Sequence, residues 1–223
     1  MKSISILGAG KLGTVLAKLC VQAGYVTYIA SNSDPVQVQF IIDVMSPGAI
    51  AKDAQTIFGL ADIIILAIPL RNYKSIPIKP LSGKIVVDAM NYWPGTDGVI
   101  DEFETGVTSA VIIQKFFSLS YVVKTFSHLG YHQLDVDARP RGAVDRHALA
   151  IAGNDKRATN EVADLIDQIG FDPLIIGTLA RSSAFSPGTP AFGVSTDKKH
   201  LSLIIHNYNE NGTNNPINNP DAN

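Results

Sequence analysis

The run Gly8-Ala9-Gly10-Lys11-Leu12-Gly13 constrains the fold more than any other feature of the chain. It follows directly on Ser3-Ile4-Ser5-Ile6-Leu7, a β-branched, largely apolar segment that reads as a strand. It opens Lys11 to Ala23, where Leu12, Val15, Leu16, Leu19 and Cys20 share one helical face before Gly24 stops the pattern. In that strand-turn-helix context each glycine has a separate task. Gly8 permits the tight turn, Gly10 lets backbone approach a pyrophosphate, and Gly13 lets the helix pack closely on the strand. The free N–H groups and the dipole at the helix start attract phosphates. Gly8 to Gly13 is therefore the expected cradle of a dinucleotide.

The segments that follow alternate between strand and helix. Tyr25 to Ala30 reads as a second strand and ends in the polar cluster Ser31-Asn32-Ser33-Asp34-Pro35. Val36 to Gly48 is ambiguous, with a short helix as one reading, and Ala49 to Lys52 reads as a short strand before a helical segment to Leu60. Asp62 to Ile68 and Lys84 to Ala89 are continuous apolar runs, as in parallel strands covered on both faces. Beyond Gly95, helical pattern is expected over Val107 to Phe117 and Asp155 to Ile169. Strands are expected over Tyr121 to Phe126, Ala148 to Ala152 and Pro173 to Ile176, with a polar loop over Gln133 to Arg146. This order predicts an α/β fold built on a doubly wound parallel sheet. From Asn207 to Asn223 the composition turns to Asn, Pro and Gly, which predicts a flexible tail.

Composition excludes several function classes. The net charge of −2 lacks the basic surplus of a general nucleic-acid binder. No apolar run reaches the roughly 20 residues of a membrane span, and no targeting segment is apparent. The single cysteine, Cys20, rules out an internal disulfide framework and fits a reducing, cytoplasmic compartment. There is no G-x-S-x-G elbow and no carboxylate pair at suggestive spacing, so no catalytic side chain is assigned. His128 and His132 are four apart, but Gly130 disfavours a helix between them and no third ligand lies nearby, so no metal site is expected.

Ligands of such sheets bind at the carboxyl ends of the strands. An acidic residue after the second strand would select NAD by binding the ribose hydroxyls. Here Ser31, Asn32 and Ser33 are neutral donors, and Lys11 adds positive charge, which favours NADP and leaves NAD as the alternative. Ala67, Ile68 and Pro69 belong at the same edge, along the ribose and nicotinamide side of the cofactor. Met90 is placed to pack on a ring, and Asn91 to bind the carboxamide or the incoming substrate. Tyr92 and Trp93 either join them or pack over the core.

The run Ile6 to Ser33, with Ala67-Ile68-Pro69 and Asp88-Ala89-Met90-Asn91-Tyr92-Trp93, resembles the NADPH-dependent deazaflavin (factor 420) reductase family. Val123 to His132, Ile151 to Asp155 and Ile169 to Pro173 resemble the same family, so the likeness reaches about Gly193. The resemblance implies a Rossmann domain, taken as residues 1–145, with a small C-terminal αβ appendage over 146–206. It also implies hydride transfer between NADP and a flavin-like ring. The family often carries a basic residue after the second strand, and Asn32 stands there instead.

His128 and Tyr131 are expected at the mouth of the nicotinamide pocket, contacting the acceptor, against the alternative of a surface loop. Arg139-Pro140-Arg141-Gly142 is either a clamp for an anionic tail or a solvated loop. The expected activity is an NADP-dependent oxidoreductase with a flavin-like acceptor. The alternatives are an imine, carbonyl or ferric-chelate reductase, or a non-catalytic sensor of NADP(H). A homodimer is expected only by analogy with the fold.

Overall fold

Apolar β-branched runs become buried strands where both faces of a sheet are covered, and this chain builds one such sheet. The structure, a computed structural model, describes residues 2–213. Its strands are β1 (Ser3–Leu7), β2 (Val26–Ala30), β3 (Ile50–Ala51), β4 (Ile63–Leu66), β5 (Ile85–Asp88), β6 (Tyr121–Lys124), β7 (Ala148–Gly153) and β8 (Asp172–Gly177). Its helices are α1 (Lys11–Gln22), α2 (Pro35–Met45), α3 (Pro94–Asp97), α4 (Ser109–Phe116), α5 (Tyr131–Asp137), α6 (Lys156–Gln168) and α7 (Lys198–Thr213). The strand order is β3-β2-β1-β4-β5-β6-β7-β8. The first six strands run parallel, and their order reverses between β1 and β4. That reversal is the topological switch of a doubly wound sheet.

Side chains alternate between the two faces along each strand. Ile4, Ile6, Ile63, Ile65, Ile85 and Val87 face the layer of α1, α2, α5 and α6. Leu7, Ile64, Leu66 and Val86 face the opposite layer, with Phe58, Tyr73, Ile113 and Phe117. A third cluster joins Ala148, Ala150 and Ala152 of β7 to Phe185 and to Leu201 and Ile205 of α7. Cys20 is fully buried in the first cluster, where desolvation pushes its thiol up to about 12, so it packs as a small hydrophobe.

Three features depart from the expectation. β7 runs antiparallel to β6, in register only at Val123↔Gly153 and Lys124↔Ala152, so the sheet is parallel except at that seam. α5 runs from Tyr131 into the expected polar stretch, begun by Gly130, whose N–H donates to the Gln133 side chain at 2.9 Å. α7 continues through residues 207–213, where a tail was expected, because Leu201 and Ile205 anchor its first turns in the core. Asp197 caps that helix, accepting from Lys199 N at 2.8 Å and His200 N at 3.1 Å. The remainder of the expected tail, 214–223, lies outside the described residues. Among the described residues no helix is long and apolar enough to cross a membrane.

Candidate functional site

The glycine turn is locked by backbone contacts that leave no room for a side chain at two of its three glycines. Gly8 has φ +122°, and its N–H donates to Ala30 O at 2.7 Å, tying the turn to the end of β2. A Cβ on Gly8 would lie 2.2 Å from Ala67 O, and one on Gly13 would lie 1.7 Å from Gly8 O. Gly10 differs: its φ is −83°, and a Cβ there would meet nothing within 4 Å. The empty space over Gly10 fronts the N-terminus of α1, where a pyrophosphate would rest on backbone N–H groups. The turn therefore fits a dinucleotide by shape.

A cavity of about 370 Å³ opens in front of this turn. Leu7 to Gly10, Ser31 to Ser33 and Ala67 to Pro69 line it, with Asn72 and Ser75, so three strand ends expected at the site meet there. Asn32 also lines a neighbouring, more apolar cavity of about 490 Å³ with Phe58, Ile76, Pro77 and Pro80. The next acid in the sequence, Asp34, caps α2 by accepting Val36 N–H at 2.7 Å, so this carboxylate serves the helix. Ser31 Oγ accepts the Ser33 N–H at 3.1 Å and shapes the same loop. Lys11 is not among the residues lining the 370 Å³ cavity; its amino group lies 5.4 Å from the centre of the Tyr131 ring.

Further along the sheet edge, at the ends of β5 and β6, is a second cavity of about 420 Å³. Leu12, Asn91, Trp93, Phe126, Leu129, Tyr131 and Phe192 give it a largely aromatic and aliphatic wall. Trp93 meets Phe192 edge to face at 5.5 Å. Asn91 Nδ2 donates to Ser127 O at 2.6 Å, which fixes the amide and joins the two strand ends. Phe126 is fully buried and has φ +62°, making it the one non-glycine residue at positive φ among the described residues. Backbone strain of this kind concentrates where a cavity needs an unusual shape.

The segment carrying Asn91 is held from beneath by a buried ion pair. Lys124 Nζ lies 3.3 Å from Asp88 Oδ1, both side chains being almost fully buried. Lys124 also donates to Met90 O, while Asp88 Oδ1 accepts Met90 N–H at 3.0 Å. Burial lowers the Lys124 pKa, and the Asp88 carboxylate pulls it back up. Asp88 Oδ2 has no partner among the described residues.

Three expected site residues are placed elsewhere. His128 is not at the mouth of a pocket: it is fully buried, and its Nε2 accepts Ala150 N–H at 3.1 Å. Phe185 packs edge-on against its ring at 5.7 Å, and desolvation lowers its pKa to about 4, so it is a neutral core histidine. Met90 is buried in the core cluster beneath α4, so its side chain does not reach a cofactor ring. Tyr92 turns toward the loop before α4, where its hydroxyl bonds Glu104 Oε1 at 2.5 Å and accepts Ile100 N–H at 3.0 Å. The Glu104 hydrogen bond raises its pKa, as does burial to a smaller degree. In the Arg139–Arg141 loop both guanidinium groups are paired at the surface, Arg139 with Asp145 and Arg141 with Asp167 of α6, which agrees with the solvated-loop alternative.

Folding also assembles a Ser, His and Asp trio that the sequence does not reveal. Ser195 Oγ donates to Asp137 Oδ2 at 2.5 Å, and His147 Nδ1 lies 2.7 Å from the same hydroxyl. Because the hydroxyl is spent on the carboxylate, and one ring nitrogen faces both groups, the trio lacks the relay of an activated nucleophile. It fastens the end of α5 to the segment before α7. Phe192 and Gly193, missed by the sequence reading, complete the second cavity from that same segment.

Comparisons with known proteins bear on this geometry. Residues 3–92 match the family described as NADP oxidoreductase, coenzyme F420-dependent. The Escherichia coli K12 protein YjhV is 34% identical over 59 residues, covering 26% of this chain and 43% of that protein, less than half its length. A hypothetical protein from Sinorhizobium meliloti superposes with TM-score 0.78 and 28% identity, over 89% of this chain and 96% of that one. A protein from Arthrobacter sp. FB24, provisionally named an F420-dependent NADP-reductase, superposes with TM-score 0.68 and 19% identity, over 95% and 96% of the two chains. The last likeness shows the fold alone. Over residues 3–92, which hold the glycine turn and the end of β5, the chain is similar to the coenzyme F420-dependent NADP oxidoreductases, in line with the resemblance carried by its motifs.

Proposed function

We propose that this chain is an NADP-dependent oxidoreductase that passes a hydride between NADPH and a flat, flavin-like acceptor such as a deazaflavin. The observation that carries the reading is the succession of two cavities along one sheet edge. The first is lined by Gly8 and Gly10, with Gly13 packed against the carbonyl of Gly8 behind them, and the second is walled by Leu12, Trp93, Phe126, Tyr131 and Phe192. A nicotinamide nucleotide, when bound, supplies the hydride itself. The chain supplies position and a dry wall. Backbone N–H groups at the start of α1 hold the pyrophosphate, and Ser31 to Ser33 hold the adenosine ribose and its 2′-phosphate. Ala67 to Pro69 flank the ribose nearest the ring, and Asn91 offers its amide toward the carboxamide or acceptor. Tyr131 and Trp93 flank the acceptor.

The absence of a free carboxylate at the end of β2 supports NADP over NAD, since Asp34 is committed to capping α2. The open second cavity supports an enzyme over a sensor, which needs no room beside the nicotinamide. The test is a titration with NADPH and NADH followed by stopped-flow oxidation of bound NADPH with a deazaflavin and with a flavin. Tighter NADPH binding and stoichiometric, stereospecific hydride transfer are expected. Tight NADPH binding with no turnover of any flavin-like acceptor would refute the acceptor, and equal affinity for NADH would refute the nucleotide preference.

A further inference from the structure

Helix α2 buries little of what it could. Of its seven large apolar residues, only Val38 and Ile42 face the core, while Val36, Phe40, Ile41, Val44 and Met45 face outward. Phe40 is 72% exposed and Val44 is 78% exposed. Val36, Phe40 and Val44 are four apart, and Ile41 and Met45 form a second row beside them, so the five make one contiguous stripe. Ile50, on the neighbouring strand β3, is also exposed. Among the described residues, six of the fifteen exposed large hydrophobic residues therefore fall within residues 36–50, while the other nine are distributed from Trp93 to Leu203. A scattered exposed leucine needs no explanation, whereas a contiguous apolar stripe marks a contact surface.

The stripe carries no charge. One neutral polar residue, Gln37, shares the outward face, between the two rows. Gln39 and Asp43, on the other flank, are engaged: Gln39 Nε2 donates to Asp43 Oδ1 at 2.7 Å, and Gln39 Oε1 accepts Ala51 N–H at 2.8 Å. The second of these bonds also closes the sheet edge, because Ala51 is half of the two-residue strand β3. A partner therefore meets the helix face rather than adding a strand. Asn214–Asn223 contain a single large apolar residue, Ile217, too few by composition to match a stripe of five.

We infer that the outer face of α2 is where two copies of this chain meet as a homodimer. A two-fold axis near Phe40 and Ile41 lays each stripe antiparallel on its copy, so an uncharged surface meets a surface of the same character. With about 100 Å² for each exposed aliphatic side chain and somewhat more for Phe40, the stripe and Ile50 cover roughly 600 Å² per copy, about 1,200 Å² for the pair. That reaches the size at which specific interfaces begin. The contact also braces the Ser31–Ser33 loop, which leads directly into α2.

Sedimentation equilibrium of the full chain tests this inference. The expected mass is twice 23.9 kDa, falling to one chain in the double variant Phe40→Glu, Val44→Glu and staying doubled in Val136→Glu, an exposed apolar site elsewhere. Because Phe40 and Val44 are on the surface, the circular dichroism of the double variant should match the parent. An independent readout is Ile41→Cys, which should form an intermolecular disulfide under mild oxidant, because Cys20 is buried. A monomeric parent, or a double variant that keeps the doubled mass, overturns the inference. A monomeric parent that pellets with phosphatidylcholine vesicles also overturns it, and assigns the stripe to a lipid surface instead.

Discussion

Replacing Gly10 by Ala separates cofactor binding from folding at a single methyl group. At Gly10 the backbone has φ −83°, which alanine adopts freely, and the added Cβ meets nothing within 4 Å. Two small effects on stability oppose each other. Alanine restricts the unfolded chain, worth about 0.4–1 kcal/mol, and it begins a helix less well than glycine by a similar amount. The net change should stay within about 0.5 kcal/mol, a shift in Tm of roughly 2 °C for a chain of this length. Binding is another matter, because the methyl group would occupy the open space over Gly10 in which the proposed pyrophosphate rests. Losing one hydrogen bond to a charged phosphate costs about 1.5–3 kcal/mol, which raises Kd roughly tenfold to a hundredfold. Titration calorimetry with NADPH, beside a thermal melt, reads both quantities. Gly13→Ala provides the contrast: its Cβ would lie 1.7 Å from Gly8 O, so it should lose binding and several degrees together. Parental NADPH affinity in Gly10→Ala would refute the placement of the pyrophosphate.

Other perturbations probe the rest of the site. Asn32→Asp places a carboxylate where the 2′-phosphate is expected, so NADPH affinity should fall at least about tenfold while NADH is spared, as competitive titration would reveal. Tyr131 is the one titratable side chain lining the second cavity. Tyr131→Phe should leave hydride transfer to a deazaflavin within a few-fold, whereas a carbonyl or imine reductase relying on it as a proton donor would slow by about 10²–10⁴ in single-turnover assays. Lys124→Met strands the Asp88 carboxylate in the core and should destabilise by about 3–5 kcal/mol, with most of the loss recovered in Asp88→Asn, Lys124→Met by thermal melt. For His128 the folded pKa, about 4, lies below the ordinary 6.5, so the unfolded chain binds the extra proton first. Its contribution is complete above pH 6.5 and is lost as the pH falls toward 4, a change of roughly 3 kcal/mol that His128→Gln should remove from the denaturation profile.

The first half of this fold could be read directly from the sequence, because its signals are local. The glycine turn lies between a β-branched strand and an amphipathic helix, and the Ile and Val runs of β4 and β5 need no partner to be recognised. The loops expected to hold pyrophosphate and ribose were legible as loops for the same reason, and they line one cavity. What escaped depends on distant contacts. The reversal of β7 against β6 is decided by how the chain returns to the sheet, and no local pattern records it. His128 looked functional beside a strand end, but Ala150 and Phe185, far along the chain, bury it. α5 has no apolar period to announce it. α7 did carry a signal, with Asp197 as cap and Leu201 and Ile205 one turn apart, that the polar composition beyond Asn207 obscured.

The corner at Phe126 has a consequence for how this protein can change. Just before it, Thr125 Oγ1 donates to Ala150 O at 2.8 Å, and just after it His128 Nε2 accepts Ala150 N–H at 3.1 Å. One residue of β7 is thus gripped on both its backbone groups by side chains bracketing the left-handed residue, where the two-pair ladder from β6 has already ended. The floor of the second cavity and the attachment of the C-terminal half are consequently one piece of architecture. The two halves are not interchangeable parts. A graft that replaced β7 and α7 from another protein would have to reproduce the grip on residue 150, or it would alter the shape of the second cavity without touching any residue that lines it.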